Sequence, residues 1–205
     1  MSLKRAFDPV VDAHTRLLIL GSLPGDASLK AGQYYDHPQN GFWRLIGGVI
    51  GLDLVALPYP DRLEALKTAG VGLWDVFASA ERPGSLDGSI RRAEAADLNR
   101  LIDDLPSLRA VAFNGGTAAR RGRLTLTPRP GLTLIDLPSS SPAYTRPLIE
   151  KAVAWAVLGT FTLRPCQGAV TCRSRIRRET ASFPALSSNS PSNRRHGGRP
   201  GESKP

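Results

Sequence analysis

The sequence predicts an α/β protein whose central sheet has four strands, is mostly parallel and is covered by helices on both faces. Two observations lead to this prediction. Four apolar runs of strand length recur along the chain, and segments with a helical spacing of apolar residues lie between several of them. Consecutive strands that are joined through a helix run parallel, and parallel sheets occur almost only where both faces are buried.

The first two elements are a buried strand and an amphipathic helix with a long loop between them. Residues 17–22 (LLILGS) form an apolar run that ends at a glycine and a serine. Residues 41–52 place Phe42, Leu45 and Ile46 at helical spacing. The loop between these elements is polar and contains aromatic residues. A strand that ends in such a loop at the edge of a sheet is where α/β proteins build binding sites.

The middle of the chain predicts two helices with a strand between them. Residues 61–70 predict a helix that begins near Asp61 and stops at Gly70. Residues 71–77 (VGLWDVF) predict a strand. Residues 89–105 predict a longer helix with one apolar face.

Two further strands and one helix complete the predicted fold. Residues 109–115 (RAVAFNG) and 131–139 (GLTLIDLPS) are the strands. Residues 146–161 predict a closing helix with Pro147 as its first residue, because proline is tolerated where the backbone N–H has no intrahelical partner.

The composition of the chain changes near residue 163. A length of 205 residues with 41% hydrophobic residues favours one domain with a sizeable core. Residues 164–205 are rich in Ser, Pro, Gly and Arg, and they carry +7 of the formal net charge of +9. We therefore expect a folded domain at residues 1–163 and a basic, disordered tail at residues 164–205.

Membrane and metal classes are disfavoured by the sequence. A membrane-spanning helix needs an apolar run of about 18 residues or more, which the sequence lacks, and the start of the chain has no apolar leader segment. We therefore expect a monomer in the cytoplasm. The two cysteines, Cys166 and Cys172, have poor zinc spacing without further ligands, and we expect neither a metal nor an organic cofactor.

Three motifs resemble those of one enzyme superfamily. Residues 21–43 read GSLPGDASLKAGQYYDHPQNGFW, residues 112–119 read AFNGGTAA and residues 137–144 read LPSSSPAY. They resemble the uracil-DNA glycosylase superfamily, and most of all its hypoxanthine-DNA glycosylase branch, which shows GS-x-P, SL, QYY, HP-x-N and FW. The resemblance extends over about residues 1–163, and motifs matched over so long a stretch are more specific than one short pattern.

The resemblance implies both a fold and an activity. The superfamily has a three-layer α/β/α sandwich, which agrees with the fold predicted from periodicity. The implied activity is that of a monofunctional DNA glycosylase in base excision repair. Such an enzyme would excise uracil, hypoxanthine or both from double- or single-stranded DNA, without a cofactor.

The water-positioning residue of related glycosylases is missing from its usual place. Relatives use an Asp or Asn in the first motif, whereas Leu23 stands at that position and cannot orient a water, so we count it with the base-binding residues. The resemblance transfers the role to Asn40 of HP-x-N, which would align the water through hydrogen bonds. Asp26 is the second catalytic candidate, and its alternative interpretation is a carboxylate in a loop or at a helix cap.

Four further residues are predicted to hold a base. Phe42 is suited to stack on it, although Phe42 is also interpretable as a core residue. Tyr34 and Tyr35 would close the other walls, as similar positions do in related enzymes. The amide of Asn114 offers a donor and an acceptor to a base edge, although an Asn before Gly-Gly is often a turn residue.

The loop after the last strand supplies the candidates for contact with DNA. Its hydroxyl and backbone N–H groups would bind phosphates, and Ala143 or Tyr144 would enter the space that a flipped nucleotide leaves. Many relatives carry a leaving-base histidine in this motif, and His37 is the candidate substitute here, beside Asn114 and backbone N–H groups. Arg120, Arg121 and Arg123 are additional candidates that are more typical of solvated charges. The predicted DNA-contact set is Ser139, Ser140, Ser141, Pro142, Ala143, Tyr144 and Arg146.

Other functions stay open at this point. Because the usual carboxylate is absent from the first motif, a non-catalytic protein that binds lesions or abasic sites is the main alternative. A doubly wound nucleotide-binding protein is disfavoured, since neither GSLPGD nor FNGGTA has the G-x-G-x-x-G spacing. The tail is interpretable either as an extension without a role or as a basic arm that raises DNA affinity.

Overall fold

The computed structural model describes residues 3–163, so the predicted tail at residues 164–205 lies outside the described residues. The strands are β1 (Leu3–Arg5), β2 (Leu17–Gly21), β3 (Val71–Asp75), β4 (Phe77–Glu81), β5 (Arg91–Ala95), β6 (Ala110–Asn114) and β7 (Thr133–Leu137). The α-helices are α1 (Asp26–Ala31), α2 (Phe42–Ile50), α3 (Tyr59–Thr68), α4 (Leu98–Asp103), α5 (Gly116–Thr125) and α6 (Leu148–Trp155). Short 3₁₀ helices occupy Leu54–Ala56, Asp87–Ser89 and Ala156–Thr160.

Four parallel strands form the central sheet in the order β3-β2-β6-β7. Leu20 of β2 pairs with Trp74 of β3 on one side and with Phe113 of β6 on the other. Every residue of the inner strands β2 and β6 is buried, as their apolar sequences require. The predicted parallel four-stranded sheet is therefore confirmed.

Helices cover both faces of this sheet. Leu17 and Ile19 of β2 join an apolar cluster that includes residues of α2, α3 and α6. Leu18 and Leu20 join a second cluster that includes residues of α4 and α5. Successive residues of a strand point to opposite faces, so one five-residue strand contributes to both cores. The result is the three-layer α/β/α arrangement.

The predicted helix at residues 89–105 is wrong over its first half. The segment Arg91–Ala95 is strand β5, which pairs antiparallel with β4 in a second, three-stranded sheet of order β1-β4-β5. Only Leu98–Asp103 is α-helical, and the Asp97 side chain caps it by accepting a hydrogen bond from the Arg100 N–H at 3.2 Å. The helix-favouring residues of β5 adopt strand geometry because β4 offers them a ladder of backbone partners.

The predicted strand at residues 71–77 is divided between the two sheets. Strand β3 ends at Asp75, and β4 begins at Phe77. Val76 lies between the two strands, and its N–H donates to the Gly21 carbonyl at 2.9 Å. This hydrogen bond holds the junction of β3 and β4 against the end of β2. Asp75 is therefore the last residue of a parallel strand and lies at the carboxyl edge of the central sheet.

The helices differ from prediction mainly at their starts. Helix α3 begins at Tyr59, two residues before the predicted Asp61, because Pro60 is tolerated in the first turn. Pro147 is the N-cap of α6, and not its first residue. Helices α1 and α5 form in segments for which the periodicity predicted no helix.

The carboxyl ends of all four parallel strands meet at one edge, which is where open α/β sheets bind ligands. The last residues of these strands are Gly21, Asp75, Asn114 and Leu137. Within residues 3–163, no helix has the length and apolar character needed to cross a membrane. The same residues include no group of three or more His, Cys, Asp or Glu side chains placed to hold a metal ion.

Candidate active site

A cavity of about 820 Å³ opens at the carboxyl edge of the central sheet. Its size lies within the range of roughly 300–1,000 Å³ that is usual for ligand pockets. The ends of β2, β3 and β6 form one part of its wall, and the loops after β2 and β7 form much of the rest. The predicted residues that line it are Leu23, Tyr34, Tyr35, His37, Asn40, Asn114, Ser139, Ser140, Ser141, Pro142, Ala143 and Tyr144.

Asn40 is held in the cavity wall by the turn that precedes α2. Its Oδ1 accepts a hydrogen bond from the Phe42 N–H at 3.0 Å, and its own N–H donates to the His37 carbonyl at 2.8 Å. These bonds fix the orientation of the amide at the start of the helix. Among the described residues, the Nδ2 group of Asn40 has no hydrogen-bond partner, so it is free to bind a molecule in the cavity.

The structure does not bring Asp26 into the cavity with the other candidates. Asp26 is the first residue of α1, and its carboxylate pairs with the Lys4 ammonium while its N–H donates to Ser85 Oγ at 2.9 Å. The hydrogen bond from Lys4 lowers the pKa of the Asp26 carboxyl. Its side chain is about half exposed and is not part of the cavity lining. This placement favours a structural role at the start of α1.

Leu23 lines the cavity as an apolar residue, and its neighbourhood is held by a buried arginine. The Arg82 guanidinium donates to the Leu23 carbonyl at 3.1 Å and also to the Pro24 carbonyl. Arg82 is fully buried and lies 3.6 Å from the Asp87 carboxylate. The polar function of Leu23 is therefore confined to its backbone, which Arg82 fixes in place.

Tyr35 lines the cavity, whereas Phe42, which stacks against it, does not. The two rings stack with their centroids 3.8 Å apart and their planes at 12°. Phe42 is fully buried, and it also meets Trp43 and Trp155 edge-on. Its position fits the core interpretation, whereas Tyr35 lines the cavity. We take Tyr35 as the candidate for base stacking in its place.

The backbone of Tyr35 adopts a conformation that is unusual for a tyrosine. Its φ of 56° lies in the left-handed region. Its hydroxyl is buried and has no hydrogen-bond partner among the described residues. Burial raises the pKa of this hydroxyl, and the nearby Asp75 carboxylate raises it further. Tyr35 is therefore a neutral phenol, and its hydroxyl lies near the Asn114 amide, which lowers its pKa.

Asn114 connects the end of β6 to the loop after β7. Its Oδ1 accepts from the Ser140 N–H at 2.8 Å, and its Nδ2 donates to Ser140 Oγ at 2.9 Å. Both residues are buried, and both line the cavity. An amide nitrogen has a second hydrogen and an amide oxygen a second lone pair, so Asn114 retains one donor and one acceptor for a ligand.

The loop of residues 138–144 is also held from behind by α6. The buried Lys151 ammonium donates to the carbonyls of Ser141 at 3.2 Å and Tyr144 at 2.7 Å. The Trp155 indole donates to the Pro138 carbonyl at 3.0 Å. Burial lowers the pKa of Lys151. The loop therefore has a defined shape before any ligand binds.

The arginine candidates are placed unequally. Arg120 and Arg123 line the cavity, and Arg123 pairs with Asp136 at 3.0 Å. Arg121 lies over the Phe77 ring at 5.7 Å. Arg146 pairs with Glu150 at 3.5 Å on the first turn of α6 and is not part of the lining.

The sequence reasoning missed three charged residues near the cavity. Asp75 and Asp87 line it directly, and Arg82 holds the backbone beside it. Burial raises the pKa of the Asp75 carboxyl to about 7, Arg82 lowers it and Asp87 raises it. Asp75 carried a usable signal, since a polar residue at the carboxyl end of a parallel strand is the pattern that singled out Asn114.

Comparisons with known proteins identify the family to which the chain belongs. The family model described as the uracil DNA glycosylase superfamily matches residues 9–198. The chain is 44% identical over 153 residues to a hypoxanthine DNA glycosylase of Methanosarcina barkeri, a match that covers 75% of this chain and 96% of the relative. A hypoxanthine DNA glycosylase of Methanosarcina acetivorans is 46% identical over 116 residues, which cover 57% of this chain and 73% of the relative.

A solved structure shares the fold. The solution NMR structure of a Methanosarcina acetivorans protein assigned to the uracil DNA glycosylases superposes with a TM-score of 0.69 and 40% sequence identity. The match covers 77% of this chain and 97% of that structure. On these grounds, the chain belongs to the uracil DNA glycosylase superfamily.

Proposed function

We propose that the cavity at the carboxyl edge of the central sheet is the active site, and that Asn40 positions the attacking water there. Membership in the superfamily makes the chain a monofunctional DNA glycosylase that acts on deaminated bases in DNA repair. Such an enzyme takes the damaged nucleotide out of the helix and hydrolyses the N-glycosidic bond.

The observation that carries the proposal is the fixed amide of Asn40. Its Oδ1 is anchored by the Phe42 N–H, and its Nδ2 group has no hydrogen-bond partner among the described residues. Leu23, at the place where relatives carry a water-binding side chain, offers no polar atom. Asn40 can align a water but cannot act as a strong base, so catalysis depends on positioning and electrostatics.

The reaction balances without a cofactor. The bond between the base nitrogen and C1′ of deoxyribose breaks, and its electron pair leaves with the base. The water oxygen bonds to C1′, and the protons of the water are shared between the new sugar hydroxyl and the leaving base or solvent. The products are an abasic sugar and the free base.

Asn114 and Tyr35 are proposed to hold the base. Asn114 retains a donor and an acceptor after its two hydrogen bonds to Ser140, which is what a lactam edge requires. Tyr35 offers a ring that is already stacked on Phe42. His37 is exposed and lines the cavity, and we propose it as a group that stabilises the departing base.

The loop of residues 138–144 is proposed to grip the DNA backbone around the flipped nucleotide. Its serines line the cavity, and Tyr144 at its tip is 41% exposed and able to enter the helix. The substrate is DNA, and we propose that single or double strands are accepted. We also propose a cytoplasmic monomer.

We propose hypoxanthine as the first substrate to test and uracil as the second. Both relatives named above carry the name hypoxanthine DNA glycosylase, and one of them matches over 96% of its length. The two bases share the O=C–N–H edge that Asn114 can read. The cavity volume of about 820 Å³ accommodates a purine as well as a pyrimidine.

The test is excision from an end-labelled duplex that carries one hypoxanthine or one uracil. Incubation followed by alkaline cleavage should give a single shorter product with the damaged strand and none with an undamaged duplex of the same sequence. Binding of an abasic duplex without any excision would instead favour the lesion-binding alternative, which the apolar Leu23 motivates.

A further inference from the structure

We propose that Asp75 is a specificity-determining residue that contacts the bound base as a neutral carboxylic acid and donates a hydrogen bond to its carbonyl oxygen. This proposal rests on the proposed function, because it takes the cavity to be the place where the base binds. It adds a residue that neither the motifs nor the superfamily match singles out.

The carboxyl group of Asp75 lies in the wall of the cavity at the end of β3. The residue is 3% exposed and lines the cavity, and its Oδ2 is buried without a hydrogen-bond partner among the described residues. A buried carboxyl oxygen without a partner is costly unless a ligand satisfies it. A carboxyl group with an unpaired oxygen in the wall of the cavity is therefore a candidate for a hydrogen bond to a ligand.

Gly21 on the neighbouring strand allows the carboxyl group to occupy this place. A Cβ atom at residue 21 would lie 2.5 Å from Asp75 Oδ1 and 3.0 Å from the Tyr35 hydroxyl. Asp75 and Tyr35 thus converge on the backbone of Gly21, at the point where β2 ends. The buried Tyr35 hydroxyl and Asp75 Oδ2 both lack a hydrogen-bond partner among the described residues.

The charged and titratable groups around Asp75 leave it without a direct cationic partner. Arg82 is the nearby cation, and its hydrogen bonds go to the carbonyls of residues 23 and 24. Asp87 raises the pKa of the Asp75 carboxyl, and a hydrogen bond with Tyr34 lowers it. Tyr35 lies close enough for Asp75 to raise the pKa of its hydroxyl. Burial raises the pKa of the Asp75 carboxyl to about 7, so a large share of the molecules carry it protonated at neutral pH.

A neutral carboxylic acid at this place distinguishes hypoxanthine from adenine and uracil from cytosine. Deamination replaces an exocyclic amino group, which donates hydrogen bonds, with a carbonyl oxygen, which accepts them. The O–H of a protonated Asp75 can donate to that oxygen, whereas an ionised carboxylate would repel it. The same repulsion would oppose the negative charge that develops on the departing base. Ionisation of Asp75 should therefore weaken both base binding and excision.

The first test compares the pH profiles of the wild type and Asp75→Asn, which keeps a donor at every pH. Wild-type single-turnover excision of hypoxanthine should fall by about tenfold per pH unit above the pKa of Asp75, whereas Asp75→Asn should change little between pH 6 and 8.5. Ionisation of the substrate is common to both proteins and cancels in the comparison. Asp75→Ala should lose roughly 10- to 100-fold at pH 6.

A matched control removes a negative charge elsewhere in the lining. Asp136 pairs with Arg123 and is about half exposed, and Asp136→Asn should keep the wild-type pH dependence. Parallel pH profiles for the wild type and Asp75→Asn would overturn the proposal. Thermal melts of each variant show whether a loss of rate reflects a loss of folded protein.

A second measurement does not depend on catalysis. The carboxyl ¹³C resonance of Asp75, assigned by its disappearance in Asp75→Asn, is titrated with and without saturating free hypoxanthine. If the base binds the neutral form, the pKa of Asp75 must rise on binding, and an unchanged or lowered pKa would overturn the proposal. A wild type that excises nothing but shows this rise would refute the proposed activity and leave the role of Asp75 supported.

Discussion

Replacing Asn40 with alanine should slow single-turnover excision by about 10²-fold or more while duplex affinity changes little. The reason is that alignment of the water matters mainly as the sugar takes on positive charge, so the lost contact belongs to the transition state. Asn40 lies in the cavity wall with its Nδ2 group free, and Leu23 offers no substitute.

Two separate losses are expected from this substitution. The hydrogen bond from the Phe42 N–H to Asn40 Oδ1, 3.0 Å long, disappears. A lost hydrogen bond between a side chain and the backbone costs about 0.5–1.5 kcal/mol of unfolding free energy. A 10²-fold loss of rate corresponds to about 2.7 kcal/mol of activation free energy. Denaturant unfolding measures the first loss and single-turnover kinetics with excess enzyme measures the second.

Asn40→Asp is the matched control for the hydrogen bond between residue 40 and the Phe42 N–H. A carboxylate oxygen can still accept from the Phe42 N–H, so the stability of this variant should stay near that of the wild type, and its oxygen can also orient a water. Asp26→Asn should be mild, because Asp26 pairs with Lys4 outside the cavity lining. If Asn40→Ala excises at the wild-type rate and Asp26→Asn does not excise, the assigned roles are reversed.

Three further predictions concern base reading, the loop and the tail. Asn114→Ala should cost about 1–3 kcal/mol in discrimination, measured as the ratio of kcat/KM between hypoxanthine and adenine substrates, and equal losses on both would assign Asn114 to structure. Lys151→Met leaves the carbonyls of Ser141 and Tyr144 without their donor. The unfolding free energy should therefore fall by about 1–3 kcal/mol, and duplex binding should weaken. An unchanged denaturation midpoint would contradict the role of Lys151 in holding the loop. Truncation after Leu163 should leave a folded protein, because the residues beyond it offer no periodic apolar face, and a shallower salt dependence of DNA binding would identify the tail as a basic arm. A large drop in Tm on truncation would refute the domain boundary.

The central sheet was predictable because its strands are both short and apolar. The run LLILG has to bury every side chain, and only an inner strand of a parallel sheet does so. The edge at which the site forms followed from the same logic, since Asn114 is a polar residue at the end of an apolar strand. Most site residues were then placed by the motifs and not by periodicity.

The misses have tertiary causes. The segment Arg91–Ala95 contains good helix formers, and only the neighbouring edge of β4 makes it a strand. Tyr35 lines the cavity in front of Phe42 with a left-handed backbone, and no pattern of residues reveals that conformation. Asp75 was not singled out because the sequence does not reveal which neighbours bury a carboxylate at the end of an apolar strand.

The pair of hydrogen bonds between Asn114 and Ser140 has a consequence for how recognition can evolve. In the proposed function, Asn114 binds the base, and its two hydrogen bonds to Ser140 connect it to the loop that contacts the DNA backbone. If a DNA contact that shifts the loop changes the affinity for the base, binding of the base must change the affinity for DNA. By thermodynamic reciprocity, the two affinities change by the same factor. A substitution at Ser140 would therefore change lesion preference and DNA affinity together. Selection on one of these properties would also change the other.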